Sequence, residues 1–189
     1  VERAKERGAP VTCDVTAHHL SLTTAALADY DPNTRVWPPL RSEEDMAALR
    51  AGLSSGLIDA VVSDHQPHHL EDKAHEFPIA ASGISALETV VPLMFELVSA
   101  GVLQANDLVK VLSTGPMACL GLEAHGLAEG HIADLSVLDP SRPWTLTSER
   151  LMSQGKNSPF LNKTFSGRAS LTIVAGSIVY RAPATEEMS

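Results

Sequence analysis

The stretch "SDHQPHH", residues 63–69, gathers one carboxylate, Asp64, and three imidazoles, His65, His68 and His69. A second stretch, "VTAHHL" at 15–20, carries His18 and His19 side by side. A carboxylate in such company can ligate a divalent cation and take the proton from a metal-bound water, and a neighbouring imidazole can hold a polar substrate. The same residue types also suit a solvated polar loop. Spacing does not decide for zinc, because the chain contains neither an HxH nor an HExxH pair.

Position in the fold gives the two stretches their meaning. "LIDAVV" (57–62) is an apolar run with β-branched residues and reads as a buried strand, and "APVTCDVTA" (9–17) reads as another. Between them "SEEDMAALRAGLSSG" (42–56) reads as a helix with Ser42 as N-cap and Asp45 at the capping-box position. "SALETVVPLMFELVSAG" (85–101) is a long apolar helix with Ser85 as its expected cap and Glu88 three residues on. "ANDLVKVLSTGPMACLGL" (105–122) is another, broken near Gly115-Pro116. Strands spaced by helices predict a parallel sheet, and the carboxyl ends of parallel strands are where active sites form. Both histidine-bearing loops follow strand ends, so residues 9–17 and 57–63 are expected side by side with the loops on one face.

Past residue 126 the texture changes to short β-rich pieces, "HIADLSVLD" (131–139) and "ASLTIVAGSIVYR" (169–181), the latter turning at Ala175-Gly176 as a hairpin would. The expected organisation is an α/β unit over 1–127, a smaller β unit over 128–181 and a frayed tail over 182–189. His125 and His131 fall in the linker and the β unit, and His69 and His75 read as surface residues.

Composition bounds the function. The chain has 189 residues, 44% of them hydrophobic, enough to bury a real core. Its net charge of −9, from 23 acidic and 14 basic residues, comes without a Lys/Arg cluster, which argues against a nucleic-acid partner. Cys13 and Cys119 lie far apart with no CxxC spacing, as expected for reduced thiols in a cytoplasmic protein. No run approaches the roughly 20 apolar residues of a membrane span. The opening "VERAKERG" lacks an initiator Met and reads as the end of a helix closed by Gly8, as if within a larger protein.

The ordered set "VTAHHLSLT" (15–23), "PPLRSEEDMAALRAGLSSGLIDAVVSDHQPH" (38–68), "GISALETVVPL" (83–93) and "GHIADLSVLDP" (130–140) resembles the carboxyl-terminal half of class I dihydroorotases, of the amidohydrolase superfamily. The resemblance runs from about Val1 to Arg181. It implies an α/β fold: the last strands and helices of a TIM (β/α) barrel, followed by the carboxyl-terminal part of a small β domain. It implies a cytoplasmic zinc hydrolase, with one or two ions, that interconverts carbamoyl aspartate and dihydroorotate in pyrimidine biosynthesis and forms a homo-oligomer. Asp64 matches the metal-ligating aspartate and general acid/base, and His68 the histidine on the substrate carboxylate. Ser82 and Gly83 lie where backbone groups meet the pyrimidine ring, while His18, His19 and His65 are assigned supporting roles around these groups.

Two departures bear on that assignment. Trp37 stands where the family has an Asn that hydrogen-bonds the substrate, and Ala81-Ser82-Gly83-Ile84 replaces Pro-Phe-Gly-Ile. An indole cannot substitute for an amide that both donates and accepts. The remaining metal ligands would lie upstream of Val1, so this chain contributes at most Asp64 to the metal and is expected to be inactive alone. Two alternatives follow from the resemblance: an inactive dihydroorotase-like partner of aspartate transcarbamoylase, and a hydantoinase-like hydrolase of another cyclic amide.

Overall fold

The computed structural model describes residues 1–124 and 126–183, so His125 and the last part of the expected tail lie outside the described residues. Helix α1 (Glu2–Glu6) leads into strand β1 (Asp14–Thr16), which pairs in parallel with β2 (Ala60–Val62), Asp14 facing Ala60 and Thr16 facing Val62. This is the expected neighbour relation. The strands are shorter than the apolar runs that contain them, although single backbone bonds from Asp59 N to Cys13 O and from Ala17 N to Val62 O extend the pairing at each end.

Helix α2 (Glu43–Ser54) connects the two strands and starts as its sequence predicts: Ser42 Oγ accepts from Asp45 N, and the Asp45 carboxylate accepts from Ser42 N. A short helix α3 (Leu70–Lys73) follows the Asp64 loop, and the long helix α4 (Leu87–Ser99) follows that. Here the expectation for Ser85 is corrected. The N-cap position is Ala86, which has no side chain able to cap, and Ser85 is buried with its hydroxyl donating to Gly155 O at 2.5 Å. His65 supplies the missing acceptor: its Nδ1 lies 3.0 Å from Ala86 N and 3.3 Å from Leu87 N.

Helix α5 (Ala105–Val109), a π-helical turn (Lys110–Thr114) and helix α6 (Gly115–Cys119) run on without a loop. Pro116 has no N–H to donate and its ring crowds the carbonyl four residues back, so the turn before it widens where the sequence suggests a break. Strands β3 (Leu135–Thr145), β4 (Thr164–Val174) and β5 (Ser177–Arg181) form an antiparallel sheet in the order β3-β4-β5. The β4–β5 hairpin turns at Ala175-Gly176, as expected, whereas β3 and β4 extend well beyond their apolar cores. The tail starts later than expected: Ala182 is buried and its amide donates to Ser170 O.

The main apolar core is continuous across residue 128. Val15 and Val61 from the parallel pair, Leu93 and Met94 from α4, and Leu146 and Phe165 from the β3–β4 region belong to one buried cluster. Lys163 reinforces the contact, pairing with Glu96 of α4 at 2.8 Å and lying over the Phe165 ring. Burying a charged stem against rings in this way keeps the ammonium near its carboxylate and the methylenes dry.

Candidate active site

Asp64 follows the end of β2 with φ +46°, a left-handed conformation that a non-glycine residue holds only when its surroundings impose it. Its side chain borders a cavity of about 640 Å³ together with Thr16, His19, Trp37 and Arg41. One carboxylate oxygen, Oδ1, accepts from Gln66 Nε2 at 2.8 Å. The other has no protein donor among the described residues, so it is the oxygen left for a cation or a water. Gln66 occupies the variable position of the DHxPH motif, and nothing local to the sequence marks it as the partner of Asp64.

The histidines divide by what their nitrogens touch. His19 is braced at both ends: Nε2 lies 3.0 Å from Pro38 O, which can only accept, so Nε2 carries the proton and Nδ1 accepts from the Thr16 hydroxyl at 2.6 Å. That ties the loop after β1 to the Trp37-Pro38-Pro39 segment lining the same cavity. His65, through Nδ1, caps α4. His68 directs Nε2 at Ser82 O, 2.9 Å away, and so donates from that nitrogen.

His18 differs from all three. It is 1% exposed, and neither ring nitrogen has a hydrogen-bond partner among the described residues. Burial, helped by the neighbouring His19, pushes its pKa down to about 4, with the Asp64 charge acting in the opposite direction. The ring is therefore neutral near neutrality.

The segment that runs alongside the Asp64 loop, with Ile84 bridged to His65 and Ile84 O accepting from Gln66 N, is held from behind. Gly83 has φ +133°, and a Cβ there would come within 2.5 Å of Gln66 Cβ, so only glycine lets the two loops approach this closely. Behind both loops sits Asn157, buried in the segment between β3 and β4, with His68, Gln66, Gly83 and Ser85 as partners. Gly155 packs onto the His68 backbone, where a Cβ would meet His68 N at 2.6 Å. Lys73, also buried, donates to the carbonyls of Ala81 and Gly83, and burial lowers its pKa to about 8, with the Asp31 charge raising it and the Arg35 charge lowering it further. Ser82 borders a second cavity of about 330 Å³ with Arg35, Phe77 and Trp37. Trp37, 77% exposed, stands between the two cavities.

A family model described as "Amidohydrolase family" matches residues 1–179. The chain belongs to the amidohydrolase family. Among its curated relatives are a dihydroorotase of Pelobacter propionicus, 45% identical over 181 residues, and a dihydroorotase of Geobacter sp., 44% identical over 182 residues. Each match takes in 96% of this chain and 43% of the relative, so the chain spans less than half the length of these proteins. Among solved structures, an L-hydantoinase from Arthrobacter aurescens superposes with a TM-score of 0.89 at 32% identity, over 96% of this chain and 42% of that one. An inactive dihydroorotase-like domain of a Chaetomium thermophilum multifunctional protein shares the fold, with a TM-score of 0.63 at 21% identity over 94% of this chain and 46% of that one.

Amidohydrolase-family chemistry commonly uses metal ions, and the residues here fit a share in such a site rather than a whole one. No group of three or more His, Cys, Asp or Glu is placed to hold a metal among the described residues. Asp64 offers one open carboxylate oxygen at the edge of the larger cavity, a hard donor suited to a divalent cation. His65 Nδ1, His68 Nε2 and both nitrogens of His19 are already engaged within the protein. No described helix is long and apolar enough to cross a membrane.

Proposed function

We propose that this chain forms part of a dihydroorotase-type cyclic amidohydrolase, interconverting carbamoyl aspartate and dihydroorotate. The observation that carries the reading is Asp64, with one open carboxylate oxygen, on a loop whose His68 donates to Ser82 O of the adjoining segment that holds Gly83. In this reading residues 1–127 are the closing strands and helices of a TIM barrel and 128–181 the carboxyl-terminal part of a small β domain. The protein is cytoplasmic and homo-oligomeric, with aspartate transcarbamoylase as a candidate partner.

Zinc is the proposed metal, with Asp64 as this chain's ligand; when bound, a divalent cation acidifies water and polarises an amide carbonyl. The chain's own residues then account for proton movement and orientation. In the hydrolytic direction Asp64 takes a proton as the water oxygen bonds to the ring carbonyl carbon. It returns that proton to the ring nitrogen as the C–N bond breaks, so the carboxylate is regenerated. The Gln66 amide donates to Oδ1 and so fixes the orientation of the carboxylate. His68 donates Nε2–H to Ser82 O, which leaves Nδ1 for the substrate carboxylate.

A hydantoinase-like reading has one observation in its favour: the exposed indole of Trp37, set between the two cavities, offers a flat apolar face and no amide to a ring substrate. Steady-state kinetics of the full-length protein with dihydroorotate, hydantoin and dihydrouracil separates the two. The dihydroorotase reading predicts kcat/KM at least about tenfold higher for the carboxylated ring, the scale of one charge-assisted hydrogen bond. A preference for hydantoin overturns it, and an absence of turnover with all three points to the inactive relative.

A further inference from the structure

Three successive backbone carbonyls, those of Ala81, Ser82 and Gly83, are each held by a side chain. Lys73 Nζ lies 2.8 Å from Ala81 O and 3.1 Å from Gly83 O, His68 Nε2 lies 2.9 Å from Ser82 O, and Asn157 Nδ2 lies 3.0 Å from Gly83 O. Asn157 does more than this. Its Nδ2 also donates to Gln66 O at 3.0 Å, while its Oδ1 accepts from His68 N at 2.8 Å and from the Ser85 hydroxyl at 3.2 Å. A primary amide has two N–H donors and two lone pairs, and here all are used, one donor and one acceptor on each of two loops. Gln66 and His68 belong to the Asp64 loop; Gly83 and Ser85 belong to the segment that pairs alongside it. The Asn157 backbone joins in, its carbonyl accepting from Ser85 N at 2.8 Å. Asn157 is 5% exposed and Lys73 6%, so neither group can exchange its partners for water without opening the loops.

We infer that Asn157 and Lys73 are positioning residues that hold the Ser82-Gly83 wall in register with the Asp64–His68 loop, so that a ring substrate meets its carboxylate contacts and its proton-transfer group at one fixed separation. The assignment of the wall to carboxylate recognition rests on the dihydroorotase-type reading; the clamp itself rests on the hydrogen bonds. Its physical logic is that of an amide used as a spacer. Leucine would fill the space without joining the loops, and aspartate would keep the two acceptor contacts while turning its other oxygen toward the carbonyls of Gln66 and Gly83. Lys73 adds a cation behind two of the three carbonyls, fixing the peptide planes whose other edges line the wall.

The test uses Asn157→Asp and Lys73→Met in the full-length protein, with kcat, KM and bound metal measured beside amide hydrogen exchange over residues 79–86. The expected result is a rise in KM for dihydroorotate of about tenfold or more in each variant, larger than the fall in kcat. Metal content stays unchanged, and exchange at Gly83 and Ser85 is faster. Parallel loss of metal and kcat with KM unmoved overturns the inference, because it marks general damage to the fold. If the parent protein turns over no dihydroorotate, the functional reading fails while exchange still decides the clamp: unchanged exchange in the variants overturns it, and faster exchange confined to 79–86 supports it. If Asn157→Asp does not fold, Lys73→Met carries the same test.

Discussion

The loop after β1 and the loop after β2 are both rich in histidine, yet they use the residue in opposite ways. After β1, His18 is sealed in the interior with neither nitrogen bonded among the described residues, and His19 is locked at both nitrogens. After β2, His65 and His68 each direct one nitrogen at the backbone of the following segment, where they cap α4 and grip Ser82. The one group in the second loop that combines charge with an open oxygen is Asp64. An imidazole beside a carboxylate can thus serve to fix the backbone rather than to do chemistry. Around Asp64, His19, His65 and His68 fix backbone and side-chain geometry.

That contrast can be broken by substitution, most severely at Asp64. Asp64→Asn keeps size and the acceptor for Gln66 but removes the proton-accepting oxygen, and the full-length protein should lose on the order of 10²–10⁴ in kcat. Turnover within a few-fold of the parent would end the comparison.

His18 gives the next largest effect, and it is a stability effect. Its folded pKa of about 4 lies below the ordinary 6.5, so the unfolded chain binds the extra proton first as pH falls. Stability is fully present above 6.5 and is lost progressively between 6.5 and about 4. The loss amounts to about 3 kcal/mol. Urea unfolding at pH 7 and pH 4.5 should show it, and His18→Gln, which does not titrate, should flatten that pH dependence. An equally steep acid loss in the variant would assign it to other groups.

His65→Ala removes the acceptor at the start of α4 and should cost about 1 kcal/mol, typical of a helix N-cap. Faster exchange of the Ala86 and Leu87 amides would locate the loss, and unchanged exchange would show that the cap is not His65. The smallest expected effect is at Trp37. Trp37→Asn returns an amide to the cavity wall and should raise kcat/KM for dihydroorotate about threefold, within the range of one neutral hydrogen bond. A fall instead would assign the indole a binding role of its own.

Much of this arrangement was legible from sequence, and what was missed has a common cause. The adjacent strands β1 and β2, the Ser42–Asp45 capping box and the Ala175-Gly176 turn are encoded over short windows by apolar runs, a capping pair and a turn glycine. Asn157 bonds a residue 89 positions away, and its own neighbourhood, "GKNSP", reads as an ordinary turn. Lys73 lies in "LEDKAHE", a run whose polarity predicts exposure, but the carbonyls of Ala81 and Gly83 draw its ammonium inward. Ser85 looked like a cap because serine usually is one. A buried hydroxyl bonded to Gly155 O cannot serve the helix, and only the folded chain brings His65 into its place. The apolar core likewise draws on residues far apart in sequence, with Leu93 and Met94 of α4 clustered with Leu146 and Phe165.

The proposal that Asp64 is a metal ligand of this chain is tested most directly by X-ray absorption spectroscopy on the metal-loaded full-length protein and its Asp64→Ala variant. The account predicts loss of one oxygen scatterer from the metal's inner sphere with the imidazole signal unchanged. An unaltered spectrum would contradict it.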